Sequence, residues 1–537
     1  MPPKKTNSSL QALTDSFQKQ ETLLREGGGA SGQERQKRLG RMTARERISA
    51  LIDPSTSFFE LGLWAGYEMY TEWGPLPAAG VLTGIGYVHQ KPCMIVANDA
   101  TVKAGAFFPQ SVKKVIRAQR IAYESRLPIL YLVDSSGVFL PLQDEIFPDE
   151  DDFGRIFRNN SVLSACGIPQ IAAIMGNCIA GGGYLPVLCD KLLMTEGSGL
   201  YLAGPALVKA AIGQVVETEE LGGAHMHASI SGTVDFYEPD DAACLKRLRA
   251  LVDNLPSLPS EKKKQTKPKR DPSTLYDLVS ADCSRVYGTH ELLDAIIDAD
   301  SLQEYKALYG KSLLTAYAKI NGIPVGIVAS QRQHTITGQG EVEVGGVIYK
   351  ESADKAARFI MDCNQTQIPL IFLQDVVGFM VGKQAEQSGI IRSGAKLVNA
   401  LSNSIVPKIT IIIGNSFGAG NYALCGKAYD PNFIFAWPSA RYAVMGADQA
   451  ADTLFTVQER AAERKGQVLD QKESDKMHAE IKARYEKQMD IRYAAARGWV
   501  DAIILPHTTR EALTFALELA KRSPPKALSF HTGVLQV

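Results

Sequence analysis

The chain has 537 residues, of which 45% are hydrophobic and 22% are charged, and its 58 basic side chains balance 58 acidic side chains. This length exceeds what one hydrophobic core usually organises, so we expect two large domains. The balanced charge excludes the strongly basic surface typical of nucleic-acid or membrane binding. No uninterrupted apolar run reaches the roughly 20 residues that cross a bilayer. We therefore expect no nucleic-acid partner and no membrane contact.

The eight cysteines form no Cys-x-x-Cys pair, which is the spacing that zinc ribbons use. Several lie in apolar stretches, so we expect reduced, buried thiols and no metal in this chain. The first residues, MPPKK, lack the apolar core of a secretory signal. The predicted location is cytoplasmic for a bacterial source, and the mitochondrial matrix only for a eukaryotic one.

In chain order, residues 9–26 are predicted to form an amphipathic helix that ends at three glycines. Thr43 is the expected N-cap of the next helix. Beyond it, short apolar runs alternate with longer amphipathic stretches, which is typical of β-α-β architecture. A segment rich in proline and lysine, residues 261–273, is the predicted solvated linker between an N-terminal half, 1–260, and a C-terminal half, 274–537.

The two halves repeat each other. Residues 127–134 (LPILYLVD) are echoed by residues 368–375 (IPLIFLQD) at an offset of 241 residues, and Gly176 and Gly414 correspond at an offset of 238. Ordered matches at a nearly constant offset indicate an internal duplication. The predicted fold class is therefore α/β, with two halves of the same design. The aspartates that end the two matching runs are interpreted as turn-forming residues.

Each half carries a strand followed by a glycine-rich turn, GNCIAGGGY at residues 176–184 and GNSFGAGNY at residues 414–422. Glycines at a strand-to-helix junction let the backbone approach a ligand, and the N–H groups there favour negative charge. This is the construction of an oxyanion hole. Tight packing of helix on strand without chemistry is the alternative, and it is disfavoured because the feature occurs twice.

Two further interpretations are weaker. Residues 414–418 fit Gly-x-Ser-x-Gly, the nucleophile elbow of hydrolases. However, the equivalent of Ser416 in the first half is Cys178, so the repeat preserves glycines and asparagine rather than a nucleophile. Histidine is also scarce, with eight residues. A non-enzymatic scaffold is disfavoured because both glycine-rich turns are intact.

Other motifs carry a family resemblance: DSSG at residues 134–137, FGRIF at 153–157, ELGGA at 220–224 and GFMVG at 378–382. From about residue 35 to its end, the chain resembles the carboxyltransferase β subunits of biotin-dependent acyl-CoA carboxylases, most closely the 3-methylcrotonoyl-CoA type. The stretch at residues 333–349 is longer than in that type and is similar to the carboxyltransferase subunit of glutaconyl-CoA decarboxylase. A decarboxylase of that type, or a propionyl-CoA carboxylase, therefore stays open.

The resemblance implies two tandem crotonase-like (ClpP/crotonase) domains, the first for the acyl-CoA and the second for biotin. It implies transfer of a carboxyl group from carboxybiotin, on a partner biotin carboxylase/biotin carrier subunit, to a coenzyme A thioester such as 3-methylcrotonoyl-CoA. It also implies a homo-oligomer, a dimer or a multiple such as a hexamer, in which the N-terminal half of one chain faces the C-terminal half of another. The sequence contains no Met-Lys-Met attachment motif and no Walker loop, so we expect neither covalent biotin nor ATP hydrolysis on this chain.

The resemblance also assigns roles to residues. The catalytic groups are backbone N–H groups, those of Gly181 and Gly182 for the thioester oxygen and those of Ala419 and Gly420 for the biotin ureido oxygen. The expected acyl-CoA contacts are Gly137, Lys103, Lys113, Arg117 and Tyr184, with the basic side chains facing the CoA phosphates. The expected biotin contacts are Gly378, Phe379, Gly418, Asn421 and Tyr422. No side-chain base is expected, because the cofactor supplies the chemistry.

Overall fold

The computed structural model describes residues 9–255, 266–283, 285–337, 340–464 and 471–522. Its strands are β1 (Phe59–Leu61), β2 (Val81–Val88), β3 (Lys91–Asn98), β4 (Ile129–Ser135), β5 (Gln170–Ile179), β6 (Lys191–Thr195), β7 (Gly199–Tyr201), β8 (Phe236–Glu238), β9 (Gln303–Glu304), β10 (Leu313–Ile320), β11 (Ile323–Ser330), β12 (Thr335–Ile336), β13 (Val342–Glu343), β14 (Val347–Ile348), β15 (Leu370–Val376), β16 (Gly378–Phe379), β17 (Lys408–Phe417), β18 (Phe433–Ala436), β19 (Arg441–Ala443) and β20 (Ala502–Ile503).

The α-helices alternate with these strands. They are α1 (Leu10–Arg25), α2 (Gly29–Arg38), α3 (Ala44–Leu51), α4 (Pro109–Glu124), α5 (Phe153–Ala165), α6 (Tyr184–Val187), α7 (Pro205–Ile212), α8 (Thr218–Gly222), α9 (Ala224–Met226), α10 (Asp241–Asp253), α11 (Leu275–Leu278), α12 (Thr289–Asp294), α13 (Lys350–Gln365), α14 (Lys383–Ser388), α15 (Ile390–Ser402), α16 (Gly418–Ala423), α17 (Ala447–Arg464), α18 (Gln471–Met489), α19 (Ile491–Ala496) and α20 (Thr509–Ala520).

The described residues fall into two compact units. The N-terminal unit comprises residues 19–255 and 495–498, and the C-terminal unit comprises residues 9–18, 266–494 and 499–522 within the described ranges. The grouping of the first part of α1 with the C-terminal unit has no signal in the sequence. It arises from long-range packing, since Arg492 of that unit lies over the ring of Phe17 at 5.0 Å.

The sheets of the two units have the same topology, as the duplication predicts. The N-terminal sheet runs β1-β2-β3-β4-β5-β6-β8, with β7 pairing with β5. The C-terminal sheet runs β9-β10-β11-β15-β17-β18-β20, with β19 pairing with β17. In both sheets the first three strands are antiparallel and the later strands parallel, with a shift of register near the end of β4 and of β15. The predicted α/β fold with two related domains is confirmed.

Matching serine residues begin the equivalent helices of the two units. Ser111 accepts a hydrogen bond from the Phe108 N–H at 2.9 Å at the start of α4, and Ser352 accepts one from the Tyr349 N–H at 2.9 Å at the start of α13. Such contacts satisfy N–H groups that have no partner inside a helix. These pairs are offset by 241 residues, so α4 and α13 can be compared residue by residue.

The core of the C-terminal unit lies between its sheet and helices α13 and α15. Val328 on β11, Phe359 on α13, Phe372 on β15 and Leu397 on α15 are all fully buried there. Central parallel strands that are covered on both faces have continuous apolar runs in their sequence. This packing fixes the carboxyl ends of β15 and β17, from which the candidate site is built.

Other local predictions can also be compared with the structure. Thr43 caps α3 in a capping box with Glu46, as expected.

Residues 261–265 of the predicted linker lie outside the described residues. Residues 266–273 belong to the C-terminal unit and are hydrogen-bonded to other parts of it. There, the Ala299 N–H donates to the Lys267 carbonyl at 3.1 Å. None of the eight cysteines, all of which lie within the described ranges, forms a disulfide bond, and six of them are buried. No helix within the described ranges is long and apolar enough to cross a membrane.

Candidate active site

Each unit presents a surface that we call a glycine platform. The first platform consists of Gly137 and the 3-10 turn Ala180–Gly183, which follows β5. The second consists of Gly378 and helix α16, which follows β17. The predicted strand-to-turn junctions are therefore present in both units, and the first N–H groups of such helical turns have no partner within the turn.

In the first platform the predicted residues Gly137 and Gly182 lie side by side. A Cβ placed on Gly182 would be 3.9 Å from the Gly137 Cα. Gly137 has a positive φ of 90°, a backbone conformation that glycine adopts without strain. Its N–H is held by the Ser135 hydroxyl at 3.1 Å. The two glycines therefore leave bare backbone at the end of β4 and β5.

The second platform repeats this pairing. A Cβ placed on Gly420 would lie 3.4 Å from the Gly378 Cα and 2.7 Å from a methyl group of Val376. Gly418 has a positive φ of 52° and directs the chain from β17 into α16. Ala419, the residue equivalent to Gly181, is exposed. Both platforms thus bring together the glycines that the sequence analysis singled out.

A tyrosine stands beside each platform. Tyr184 is 51% exposed, and its ring lies at a tilt of 57° to the Phe157 ring with the ring centroids 6.0 Å apart. Tyr422 is 49% exposed and packs near Tyr429 at 5.9 Å. Because about half of each ring stays accessible, each tyrosine can contact a ligand that lies on its platform.

A buried ion pair lies beneath the first platform. Asp134, at the end of β4, is 3.3 Å from Arg47 of α3, and Arg47 is 1% exposed. The Asp134 carboxylate also accepts the Asn177 N–H at 3.2 Å, and a Cβ on Gly176 would lie 2.1 Å from it. Asp134 therefore anchors the last residues of β5 instead of forming a turn, which corrects the sequence interpretation.

The second platform has the same arrangement. Asp375 is 1% exposed, lies 3.2 Å from Arg332 Nε, and accepts hydrogen bonds from the Asn415 N–H at 2.9 Å and from the Tyr287 hydroxyl at 3.1 Å. A Cβ on Gly414 would lie 2.5 Å from this carboxylate. The two carboxylate clamps, Asp134 with Arg47 and Asp375 with Arg332, hold the strand ends from which the platforms extend. Neither arginine was predicted, because α3 and the end of β11 are far from the platforms in sequence.

The charge of the second clamp depends on Arg332. Burial raises the pKa of Asp375, and the Arg332 guanidinium lowers that pKa. We expect Arg332→Met to be less stable than wild type near neutral pH. We also expect the difference in the free energy of unfolding between the two proteins to shrink as the pH falls. The reason is that the Asp375 pKa rises further, so protonation removes the unpaired buried charge at a higher pH.

This expectation is checked by urea unfolding of both proteins between pH 5 and pH 8. Asp375→Asn/Arg332→Met, which has no carboxylate to protonate, serves as the control. A difference between Arg332→Met and wild type that is constant across this pH range would contradict the role of Arg332.

Comparison with known proteins gives the family. Residues 35–532 match the family described as "Carboxyl transferase domain".

The chain belongs to this carboxyl transferase family.

The carboxyltransferase is 44% identical over 502 residues to the "Biotin-dependent 3-methylcrotonyl-coenzyme A carboxylase beta1 subunit" of Mycobacterium tuberculosis, covering 93% of this chain and 92% of that one. It is 42% identical to the mitochondrial "Methylcrotonoyl-CoA carboxylase beta chain" of Arabidopsis thaliana, covering 93% of this chain and 84% of that one. The β subunit of Pseudomonas aeruginosa geranyl-CoA carboxylase has a similar structure, with a TM-score of 0.86 and 31% identity over 99% of this chain and 98% of that one. The chain is therefore a biotin-dependent carboxyltransferase of the β-subunit class, as the motifs indicated.

The basic residues predicted to face CoA phosphates differ in their surroundings in the carboxyltransferase. Lys113 is exposed and Arg117 is half-buried on α4, whereas the Lys103 ammonium is hydrogen-bonded to the Trp73 carbonyl. Lys114, the neighbour of Lys113 on the same helix, is buried and donates to two carbonyls at 3.0 and 2.6 Å. Contacts of Lys103, Lys113 and Arg117 with CoA stay predictions, and Lys114 belongs to the core.

The side chains of two predicted biotin contacts, Asn421 and Phe379, make contacts within the C-terminal unit. Asn421 is 4% exposed and donates to the Ser416 hydroxyl at 2.8 Å. The Phe379 ring packs against Gly394 of α15, where a Cβ would meet it at 3.1 Å. Their contribution to a biotin site stays a prediction, and it would come through the backbone and through the shape of the platform.

Ser416 does not have the exposure of a nucleophile. It is fully buried, and its hydroxyl donates to Gln374 Oε1 at 2.6 Å while accepting from Asn421. A hydrolase elbow requires an exposed serine oxygen at the top of the sheet. The geometry therefore excludes this alternative. Among the described residues, no three histidine, cysteine, aspartate or glutamate side chains are grouped to hold a metal ion.

Proposed function

We propose that the carboxyltransferase moves a carboxyl group from carboxybiotin on a partner biotin-carrying subunit to a branched, unsaturated acyl-CoA such as 3-methylcrotonoyl-CoA. The observation that carries the proposal is the pair of matching glycine platforms, together with relatives named for 3-methylcrotonyl-CoA over more than nine tenths of the chain. The first platform binds the thioester and the second binds the ureido group of biotin.

The need for two platforms follows from the reaction. When a 3-methylcrotonoyl thioester loses a proton from its methyl group, the negative charge spreads through the double bond to the thioester oxygen. Backbone N–H groups near Gly181 and Gly182 stabilise that charge, and those of Ala419 and Gly420 orient and polarise the ureido oxygen. Bound carboxybiotin supplies the carboxyl group and the basicity. The protein therefore has to position the two reactants and stabilise the negative charge, and it needs no side-chain base.

The geometry of the second platform fits a ureido ring. Gly418, Ala419 and Gly420 carry little or no side chain, and Ala419 is exposed, so a flat group can reach the backbone. Tyr422, with about half of its ring accessible, can pack against one face of that group. We propose that the carboxyltransferase acts as a homo-oligomer in which the first platform of one chain and the second platform of another serve one reaction.

A panel of acyl-CoAs tests the substrate. With the biotin-carrying partner, ATP and labelled bicarbonate, we expect kcat/KM to be highest for 3-methylcrotonoyl-CoA and lower by at least about tenfold for propionyl-CoA and acetyl-CoA. Differences of one or two methylene groups in an apolar pocket are worth about 10–200-fold. A preference for propionyl-CoA or acetyl-CoA, or decarboxylation of glutaconyl-CoA as the dominant activity, would contradict the proposed substrate.

A further inference from the structure

The C-terminal unit contains a pocket of about 810 Å³ between helices α13 and α15 and the loop after β9. The lining residues that matter for its chemistry are Lys306, Leu308, Tyr309, Lys355, Arg358 and Met361. None of these belongs to either glycine platform or to either carboxylate clamp. The pocket is therefore separate from the candidate active site described above.

The pocket is strongly basic. Four of its lining side chains are cationic and one, Asp354, is anionic. Asp354 is 3.4 Å from Lys396, and the Arg358 guanidinium contacts the Tyr305 hydroxyl at 3.1 Å. Within the part of the chain that the structure describes, Lys306, Lys355 and Arg358 form no ion pair with a carboxylate. Glu304 and Glu343 act on Lys355 only from beyond ion-pair distance. Three positive charges thus face one pocket with no carboxylate in direct contact with them.

Comparison with the other unit shows that this arrangement is particular to the C-terminal unit. Lys355 on α13 occupies the position that Lys114 occupies on α4, at the offset of 241 residues set by the capping serines. Lys114 donates to two carbonyls at 3.0 and 2.6 Å. Lys355 is 1% exposed, and its ammonium has one distant acceptor, the Lys306 carbonyl at 3.5 Å. A buried ammonium with so few acceptors is costly unless a ligand satisfies it.

We propose that the pocket binds a small phosphate-bearing molecule, with Lys355, Lys306 and Arg358 as the ligands of its phosphate. A multiply charged anion can accept from several cations at once, whereas a single carboxylate would leave part of this charge unmatched. Leu308, Tyr309 and Met361 give the pocket an apolar wall, which suits an organic phosphate better than a free ion. Burial lowers the pKa of Lys355 to about 8, so the ammonium stays largely protonated at neutral pH.

The test uses the full-length chain and inorganic pyrophosphate as the probe. Isothermal titration calorimetry is carried out at low salt in the presence of saturating coenzyme A, which occupies the acyl-CoA site. We expect one pyrophosphate bound per chain. Lys355→Met and Arg358→Gln should each weaken binding by about tenfold or more, since each removes a charge-assisted hydrogen bond. Lys319→Gln, which replaces an exposed lysine on β10 outside the pocket, should leave the affinity unchanged.

Two results would overturn the proposal. One is that the wild-type chain binds no pyrophosphate under these conditions. The other is that binding survives in Arg358→Gln with unchanged affinity. Arg358 is exposed, so its replacement tests the site even where Lys355→Met does not fold. The acyl-CoA carboxylation assay is a separate measurement, so failure here is distinguishable from failure of the proposed reaction.

Discussion

Gly182→Val is expected to lower the carboxylation rate by about 10²–10³-fold, the cost of losing an oxyanion hole. The structure offers room for the side chain, because among the described residues a Cβ at Gly182 approaches only the Gly137 Cα, at 3.9 Å. The added methyl groups should cover the bare backbone between Gly137 and Gly182, where the thioester oxygen is proposed to bind. The measurement is kcat and kcat/KM with 3-methylcrotonoyl-CoA, accompanied by a thermal melt.

The control for this variant is Ala250→Val. This substitution replaces an exposed alanine of α10 by valine. It should leave both the carboxylation rate and the melting temperature unchanged. Gly182→Ala should give an intermediate rate, because one methyl group covers less of the platform. A Gly182→Val protein with a wild-type melting temperature and more than about half of wild-type activity would show that the first platform does not hold the reacting oxygen.

Arg47→Met is expected to destabilise the N-terminal unit by about 3–5 kcal/mol, the usual cost of breaking a buried ion pair from one side. Arg47 is 1% exposed and holds Asp134 at 3.3 Å, Asp241 at 2.8 Å and the Met175 carbonyl at 2.7 Å. Methionine has a similar length but no donors, so two carboxylates lose their buried cation and one carbonyl loses a hydrogen-bond donor. For a unit of this size, the change should lower the melting temperature by roughly 10 °C.

The matched control is Arg120→Met on α4. Arg120 is 44% exposed on its side chain and pairs with Glu124 at 3.0 Å on the helix surface. An exposed pair of this kind contributes at most about 1 kcal/mol. If Arg47→Met and Arg120→Met lowered the melting temperature equally, the first carboxylate clamp would have no special role in holding the end of β5.

The repeated features of the fold could be predicted from the sequence because they are local. The runs that end at Asp134 and Asp375 became β4 and β15, and the glycine-rich turns became the two platforms. Strand patterning and strand-to-turn glycines are properties of neighbouring residues. Applying the same patterns twice strengthened each prediction, since an accidental match would not recur at one offset.

The long-range contacts could not be predicted in this way. Arg47 and Arg332 reach the platform aspartates across 87 and 43 residues of sequence, and nothing around them marks a buried ion pair. Lys114 and Lys355 look like ordinary basic residues on amphipathic helices, yet both are buried. Burial of a charge depends on which element packs over it, and that is decided by the tertiary fold.

The most direct test of two platforms serving one reaction combines two inactive variants. Gly182→Val blocks the first platform, and Ala419→Phe adds a large side chain to the exposed Ala419 of the second. Each variant alone should be nearly inactive. If the platforms that cooperate belong to different chains, co-expression restores activity to about a quarter of wild type, because about half of randomly formed dimers are mixed and each has one intact site of two. If both variants fold and assemble together but no activity returns, each site is built within a single chain, contrary to the proposal.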